Sequence, residues 1–181
     1  MDHIDIYTDG SQKQHYLDNV VFVGYLVVRD SKEYYDVYHI GKKKLNSKLP
    51  NSRMSSTSAE YFSILISLEE CLKYTNTSFN IYTDSLSGLS AFDITYDSKS
   101  SSKVFKNTKL IFNNLVYQNT KLGNTINVFW VESHNECWGN LKIDNIINRF
   151  AYKYILDSGS IFLKSTKISL KDKIKHLDSV L

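Results

Sequence analysis

The sequence predicts an α/β protein: a five-stranded mixed sheet flanked by helices. Three observations carry this. Up to about residue 40 the chain shows three strand-like stretches, rich in β-branched and aromatic residues and split by short polar segments. Near residue 57 the apolar period changes to that of a helix. From there helix-like and strand-like stretches alternate, the pattern that produces parallel crossovers.

The elements follow in order. Residues 3–9, HIDIYTD, alternate, with Ile4 and Ile6 on one face and Asp5 and Tyr7 on the other, as in a half-buried strand. Residues 20–28, VVFVGYLVV, form a long covered strand. After the turn RDSK, residues 33–41 supply a third, and strands joined so closely make an antiparallel meander. In residues 57–74, Tyr61, Leu65, Leu68 and Leu72 recur at spacings of four, three and four, widened by Phe62 and Ile66. That stripe is a helix buried on one face. Thr57-Ser58-Ala59-Glu60 has the form of a capping box at its start.

Residues 79–84, FNIYTD, are a strand following a helix, hence a parallel crossover. Residues 85–93 form a short helix, and residues 103–123 a long one stopped by Gly123. Residues 125–133, TINVFWVES, are the fifth strand. Residues 140–159 are a third long helix with Ile143, Ile146, Ile147, Phe150 and Tyr154 on its apolar side. In the tail, Leu170, Ile174, Leu177 and Leu181 repeat at helical spacing, with Ser169 as N-cap. This helix is expected to pack back on the domain; docking a partner is the sharper alternative.

Composition bounds the function. The 181 residues, 42% hydrophobic, suffice for one domain and are short for two. A single proline excludes a proline-rich linker. The net charge of +3 is too small to mark a nucleic-acid partner by itself. Residues 41–44, GKKK, with Lys48 and Arg53 nevertheless make a basic segment, and Lys103, Lys106 and Lys109 recur at helical spacing; a solvated face accounts for both. Cys71 and Cys137 form no zinc motif and fit a reducing compartment. No apolar run approaches the roughly 18 residues that cross a bilayer, and the N-terminus lacks a signal-peptide pattern. An intracellular monomer, cytoplasmic or nuclear, is expected, and the initial Met and short tail favour a stand-alone protein.

The string Ile-Tyr-Thr-Asp occurs twice, ending at Asp9 and at Asp84. The surroundings differ, so this is no internal repeat. Each is a strand ending in a carboxylate, and sites in open α/β sheets form outside strand ends. Two carboxylates held side by side repel unless a cation lies between them, and hard divalent cations prefer oxygen ligands. Glu60 and Asp144, each expected in the first turn of a helix, can face the same sheet edge.

YTDGS, then SAE opening a helix, then YTDS, WVESH, and GNLKID opening the last long helix resemble the ribonuclease H family. The likeness is nearest to its type 1 cellular and retroelement forms and covers residues 1–157, leaving residues 158–181 as a C-terminal extension. It implies the ribonuclease H-like fold and a metal-dependent endonuclease. That enzyme hydrolyses the RNA strand of an RNA–DNA hybrid, leaving a 3′-hydroxyl and a 5′-phosphate. It puts Asp9, Glu60, Asp84 and Asp144 on the family's four metal-binding carboxylates, holding two Mg²⁺ ions for which Mn²⁺ substitutes. Asp9 would bridge the ions, Asp144 would hold the one that activates water, and Glu60 and Asp84 the one facing the leaving group. His134 falls on the mobile-loop histidine that assists proton transfer or product release. The implied partner is the hybrid, with a polymerase or other replication protein as a second.

Substrate contacts are expected from Gly10 and Ser11, which follow Asp9, and from Thr57, Ser58 and Ser85 beside the other carboxylates. Capping and turn formation explain the last three equally well. Lys42, Lys43, Lys44 and Arg53 are placed to meet phosphates. Leu141 stands where the family commonly has Glu, Glu132 adds a negative charge before the histidine, and Leu86 replaces a polar contact. These bear on affinity more than on chemistry. Ser11 stands where proofreading exonucleases of this fold carry Glu. The rival from another class is a catalytically relict module that binds nucleic acid or a polymerase subunit.

Overall fold

The computed structural model describes residues 2–14, 19–93, 102–132, 137–157 and 164–180. Strands β1 (Asp2–Gln14), β2 (Asn19–Arg29) and β3 (Lys32–Ile40) form the antiparallel meander. Strands β4 (Thr77–Thr83) and β5 (Thr125–Trp130) add in parallel on the other side of β1, giving the order β3-β2-β1-β4-β5. The mixed sheet expected from the sequence is therefore present, with β1 at its centre. β1 runs past Asp9 because Gly10 to Gln14 stay in register with β2, Lys13 opposite Val20.

The helices are α1 (Lys42–Lys48), α2 (Ser56–Cys71), α3 (Leu86–Phe92), α4 (Lys103–Lys121), α5 (Trp138–Asp157) and α6 (Lys164–Val180). Alternation along β1 divides the core. Ile4 and Ile6 are fully buried with Ile64, Leu65 and Leu68 of α2 and Phe112 of α4. On the opposite face Ile143, Ile146 and Ile147 of α5 cover Phe22 and Leu26 of β2. Each such side chain contributes roughly 1.5–3 kcal/mol by leaving water. Asn124 closes the edge where β4 begins: it accepts from the Thr77 backbone N–H at 3.0 Å and donates to the Tyr74 carbonyl at 2.9 Å.

Several expectations are corrected. The basic segment, whose lysines are exposed as expected of a solvated face, is in addition helical: Leu45 and Leu49, four apart, are buried and fold α1 and its C-cap onto the core. The capping box is shifted. Ser55, not Thr57, is the N-cap of α2 and accepts from the Ser58 backbone N–H at 3.2 Å. Glu60 is thereby released from capping and stands in the second turn. α5 begins at Trp138, so Asp144 also stands in the second turn. α6 starts at Lys164 and contains Ser169, so that serine is no cap. Phe150 and Tyr154 are 41% and 38% exposed, yet both meet the Phe22 ring edge-on. Gly123 has φ +75°, which suits the residue that stops α4. The tail does pack back: Leu177 is buried, and Asp178 of α6 accepts from Arg149 of α5. No helix among the described residues is long and apolar enough to cross a membrane.

Candidate active site

Two close approaches assemble the site. Gly10 of β1 lies on the first turns of α2; a β-carbon there would sit 2.3 Å from the Ala59 carbonyl carbon and 2.6 Å from the Glu60 nitrogen. Only a glycine lets the strand come so near. Gly139 in the first turn of α5 rests on the Tyr7 ring, where a β-carbon would be 2.4 Å away. Tyr7 is itself fixed by stacking on Tyr82 at 4.8 Å and by the edge-on Trp138 at 6.2 Å. One glycine brings Glu60 to Asp9, and the other brings α5, and so Asp144, to the same strand.

Asp84 arrives from β4. It follows the last residue of that strand, where the chain turns into α3. The Trp130 indole N–H donates to the Asp84 backbone carbonyl at 3.1 Å, so β5 braces this turn. Ser85 caps α3, accepting from the Gly88 backbone N–H at 3.1 Å.

The carboxylate oxygens of Asp9, Glu60 and Asp84 lie within 4.8 Å of one another. Asp144 stands outside that trio but shares a cavity of about 180 Å³ with Asp9, Gly10, Ser11, Asp84, Asn140 and Leu141. Asp9 is 6% exposed. Burial, then the Asp144 and Asp84 charges, push its carboxyl up to about 7, while the Gly10 backbone N–H opposes them. Glu60 is raised well above its ordinary value by burial and then by Asp9 and Asp84. Glu60 Oε2 and Asn140 Oδ1 are buried without hydrogen-bond partners. A donor set that is all oxygen, anionic, mutually repelling and partly orphaned fits a hard divalent cation. Protons or a cation can relieve it, and at neutral pH a cation does so without forfeiting the charges.

The other expected residues separate. Gly10 and Ser11 line the cavity. Ser58 is held in the α2 cap and Ser85 in the α3 cap, whereas Thr57 is exposed. Leu141 lines the cavity and is 51% exposed. His134 lies outside the described residues. Sequence reasoning missed Asn140, whose signal was its place in the quoted GNLKID string. It also missed Lys13 and Asn148: Lys13 Nζ donates to Asn148 Oδ1 at 2.5 Å, and Asn148 Nδ2 donates to Asp144 Oδ1 at 2.8 Å. The spacing of Lys13 on the Asp9 face of β1 and of Asn148 one turn after Asp144 was the available signal.

The sequence model of the family described as RNase H matches residues 1–152. Solved structures share the fold. The N-terminal RNase H domain of a Mycobacterium tuberculosis protein superposes with a TM-score of 0.60 at 18% identity, covering 88% of this chain and all, 100%, of that domain. LC11-RNase H1, solved in complex with an RNA/DNA hybrid, gives 0.52 at 14% identity, covering 76% of this chain and 91% of that one. LC9-RNase H1, a type 1 RNase H with the type 2 active-site motif, gives 0.52 at 13% identity, covering 80% and 70%. No curated protein matches the sequence.

Proposed function

The chain belongs to the RNase H family, and from that premise we infer that it is a metal-dependent endonuclease acting on the RNA strand of RNA–DNA hybrids. The observation that carries the reading is the carboxylate cluster. Asp9, Glu60 and Asp84 converge within 4.8 Å from a strand, a helix and a strand-end turn, with Asp144 on the same cavity. A binding module has no need to hold four acids together against their repulsion.

The chemistry is hydrolysis: water adds at phosphorus, the bond to the ribose 3′-oxygen breaks, and a 3′-hydroxyl and 5′-phosphate result. Asp9, Glu60, Asp84 and Asp144 would hold two Mg²⁺ ions, or Mn²⁺, which would supply water acidified near neutral pH and charge opposite the developing negative oxygens. Asp9, the most buried of the four and raised by both Asp144 and Asp84, would be the central ligand of the set. Gly10 and Ser11 present backbone and a small hydroxyl along the cavity, suited to a ribose 2′-hydroxyl. Thr57 would add a contact from the exposed first turn of α2, while Ser58 and Ser85 serve the helix caps beside the carboxylates. His134 moves a proton or speeds product release. The hybrid seen with LC11-RNase H1 supports the choice of substrate.

The test is cleavage of a labelled RNA–DNA hybrid in Mg²⁺ by the wild-type chain and Asp84→Asn, with duplex DNA and single-stranded RNA as controls. Hybrid-only cleavage, lost in the variant, is expected. A folded chain that binds hybrid but cuts nothing in Mg²⁺ or Mn²⁺ would make it the relict module instead.

A further inference from the structure

Lys13 occupies an unusual place for a lysine. It lies four residues beyond Asp9 on β1, and the period of two puts both on one strand face. Its ammonium is drawn into the protein rather than out to solvent. It donates to Asn148 Oδ1 at 2.5 Å and sits 5.4 Å from the centre of the Tyr152 ring, one turn further along α5. Burial lowers its pKa, opposed by the charges of Asp144 and Asp9. The same ring is approached by Lys173 of α6, at 5.5 Å, whose charge adds to the lowering.

The hydrogen-bond directions are decisive. A side-chain amide can present either its oxygen or its nitrogen to a neighbour, but an ammonium only donates. With Lys13 on one side, Asn148 must turn its oxygen to the lysine. Its nitrogen is thereby aimed at Asp144, where it donates to Oδ1 at 2.8 Å. Remove the cation and the amide is free to flip, setting an oxygen against a carboxylate.

We propose that Lys13 is a positioning residue of the active site: acting through Asn148, it fixes the orientation in which Asp144 receives the divalent cation. The inference rests on Asp144 being a metal ligand and deepens that reading. Outer hydrogen bonds to ligating carboxylates set their orientation, and their loss lowers metal affinity by about 10- to 100-fold in general.

Two physical effects of deleting Lys13 have opposite signs. Removing a positive charge near a cation site should tighten metal binding by simple Coulomb attraction. Losing the relay should weaken it. Calorimetric titration of Mn²⁺ into the metal-free chain reads the sign directly, without substrate or turnover. The set is wild type, Lys13→Met, Lys13→Arg, Asn148→Leu, Lys13→Met with Asn148→Leu, and Asp144→Asn, each checked for an intact melting transition.

Lys13→Met is expected to weaken Mn²⁺ binding by about tenfold, Lys13→Arg to restore most of it, and the double variant to bind no worse than Asn148→Leu. Arginine can only donate, so it pins the amide as lysine does. If Asp144→Asn weakens binding while Lys13→Met leaves it unchanged or tighter, the relay is wrong and the metal site stands. If the two single losses add in the double variant, Lys13 does not act through Asn148. If the wild-type chain binds no Mn²⁺, or Asp144→Asn leaves its binding unchanged, Asp144 is no ligand and both readings fall. Should Lys13→Met melt early, Lys13→Val, which also lacks a donor and suits a strand, takes its place with the same outcomes.

Discussion

Gly10 lies so near Ala59 that a β-carbon on residue 10 would be 2.3 Å from the Ala59 carbonyl carbon. The obstacle is backbone on both sides, so no side chain can yield. Gly10→Ala is expected to destabilise the fold by about 1–3 kcal/mol, the range for overpacking. It also prises α2 from β1 and so Glu60 from Asp9. Urea unfolding measures the first effect. Mn²⁺ titration measures the second, as weaker binding in the fraction that remains folded.

Removing one carboxylate should separate stability from function. Asp84 raises the pKa of both Asp9 and Glu60. Asp84→Asn relieves that repulsion, so the metal-free variant is expected to melt no lower than wild type at pH 8. Hybrid cleavage in Mg²⁺ is expected to fall by at least about 100-fold, as for loss of a group acting directly on the reacting centre. A variant that unfolds outright would show Asp84 to be structural.

The pH dependence follows from Asp9. Its carboxyl titrates near 7 in the folded chain against 3.8 for the ordinary group. Between those values the native chain holds a proton that the unfolded chain has lost. The stabilisation is full below about pH 4 and fades as pH rises through 7. In EDTA the melting temperature is expected to fall between pH 5 and pH 8, by about 2–4 °C for each kcal/mol lost. Asp9→Asn should flatten that slope, and saturating Mn²⁺ should flatten it in the wild type. A wild-type profile in EDTA as flat as that of Asp9→Asn would contradict the assignment.

Binding a cation must expel the proton that Asp9 retains below about pH 7, and the raised Glu60 carboxyl works in the same direction. Calorimetry at pH 6.5 in two buffers of different ionisation enthalpy is therefore expected to show net proton release on Mn²⁺ binding. Affinity should rise towards pH 8. Identical heats in both buffers would mean that the carboxyls are already ionised.

The tail is tested by Leu177, which is 8% exposed against α5 while Asp178 beside it pairs with Arg149. Leu177→Ala is expected to cost about 2 kcal/mol, read as a lower melting temperature. No change would return α6 to the role of a docking helix.

How far the sequence could be read depended on whether the signal was periodic. The sheet was legible because β-branched runs and a helical stripe such as Tyr61 to Leu72 each have one dominant period. α1 was not, because its three adjacent lysines mask two apolar positions, Leu45 and Leu49, too few to set a period. The ends of α2 and α5 were misplaced because several small polar residues in a row, residues 55–58, can each cap, and tertiary contacts at Gly139 and Trp138 decide where α5 begins. Asp9, Glu60, Asp84 and Asp144 were nameable from motifs, and the structure brings three of them into one cluster beside the fourth. The Lys13–Asn148–Asp144 chain was only half legible, since Asn148 and Asp144 are one helical turn apart but Lys13 is 135 residues from Asn148 and meets it only once α5 packs on β1.

β1 is the one strand with hydrogen-bonded neighbours on both sides that also carries a carboxylate of the cluster. Its amides are expected to open at the highest free energy, as in central core strands generally, while Asp144 travels with a helix that covers the sheet from outside. A cation held between Asp9 and Asp144 would staple a slowly opening unit to a faster one. Occupancy would then be legible without any substrate, as deuterium uptake slowing across α5 while β1, already slow, scarcely changes.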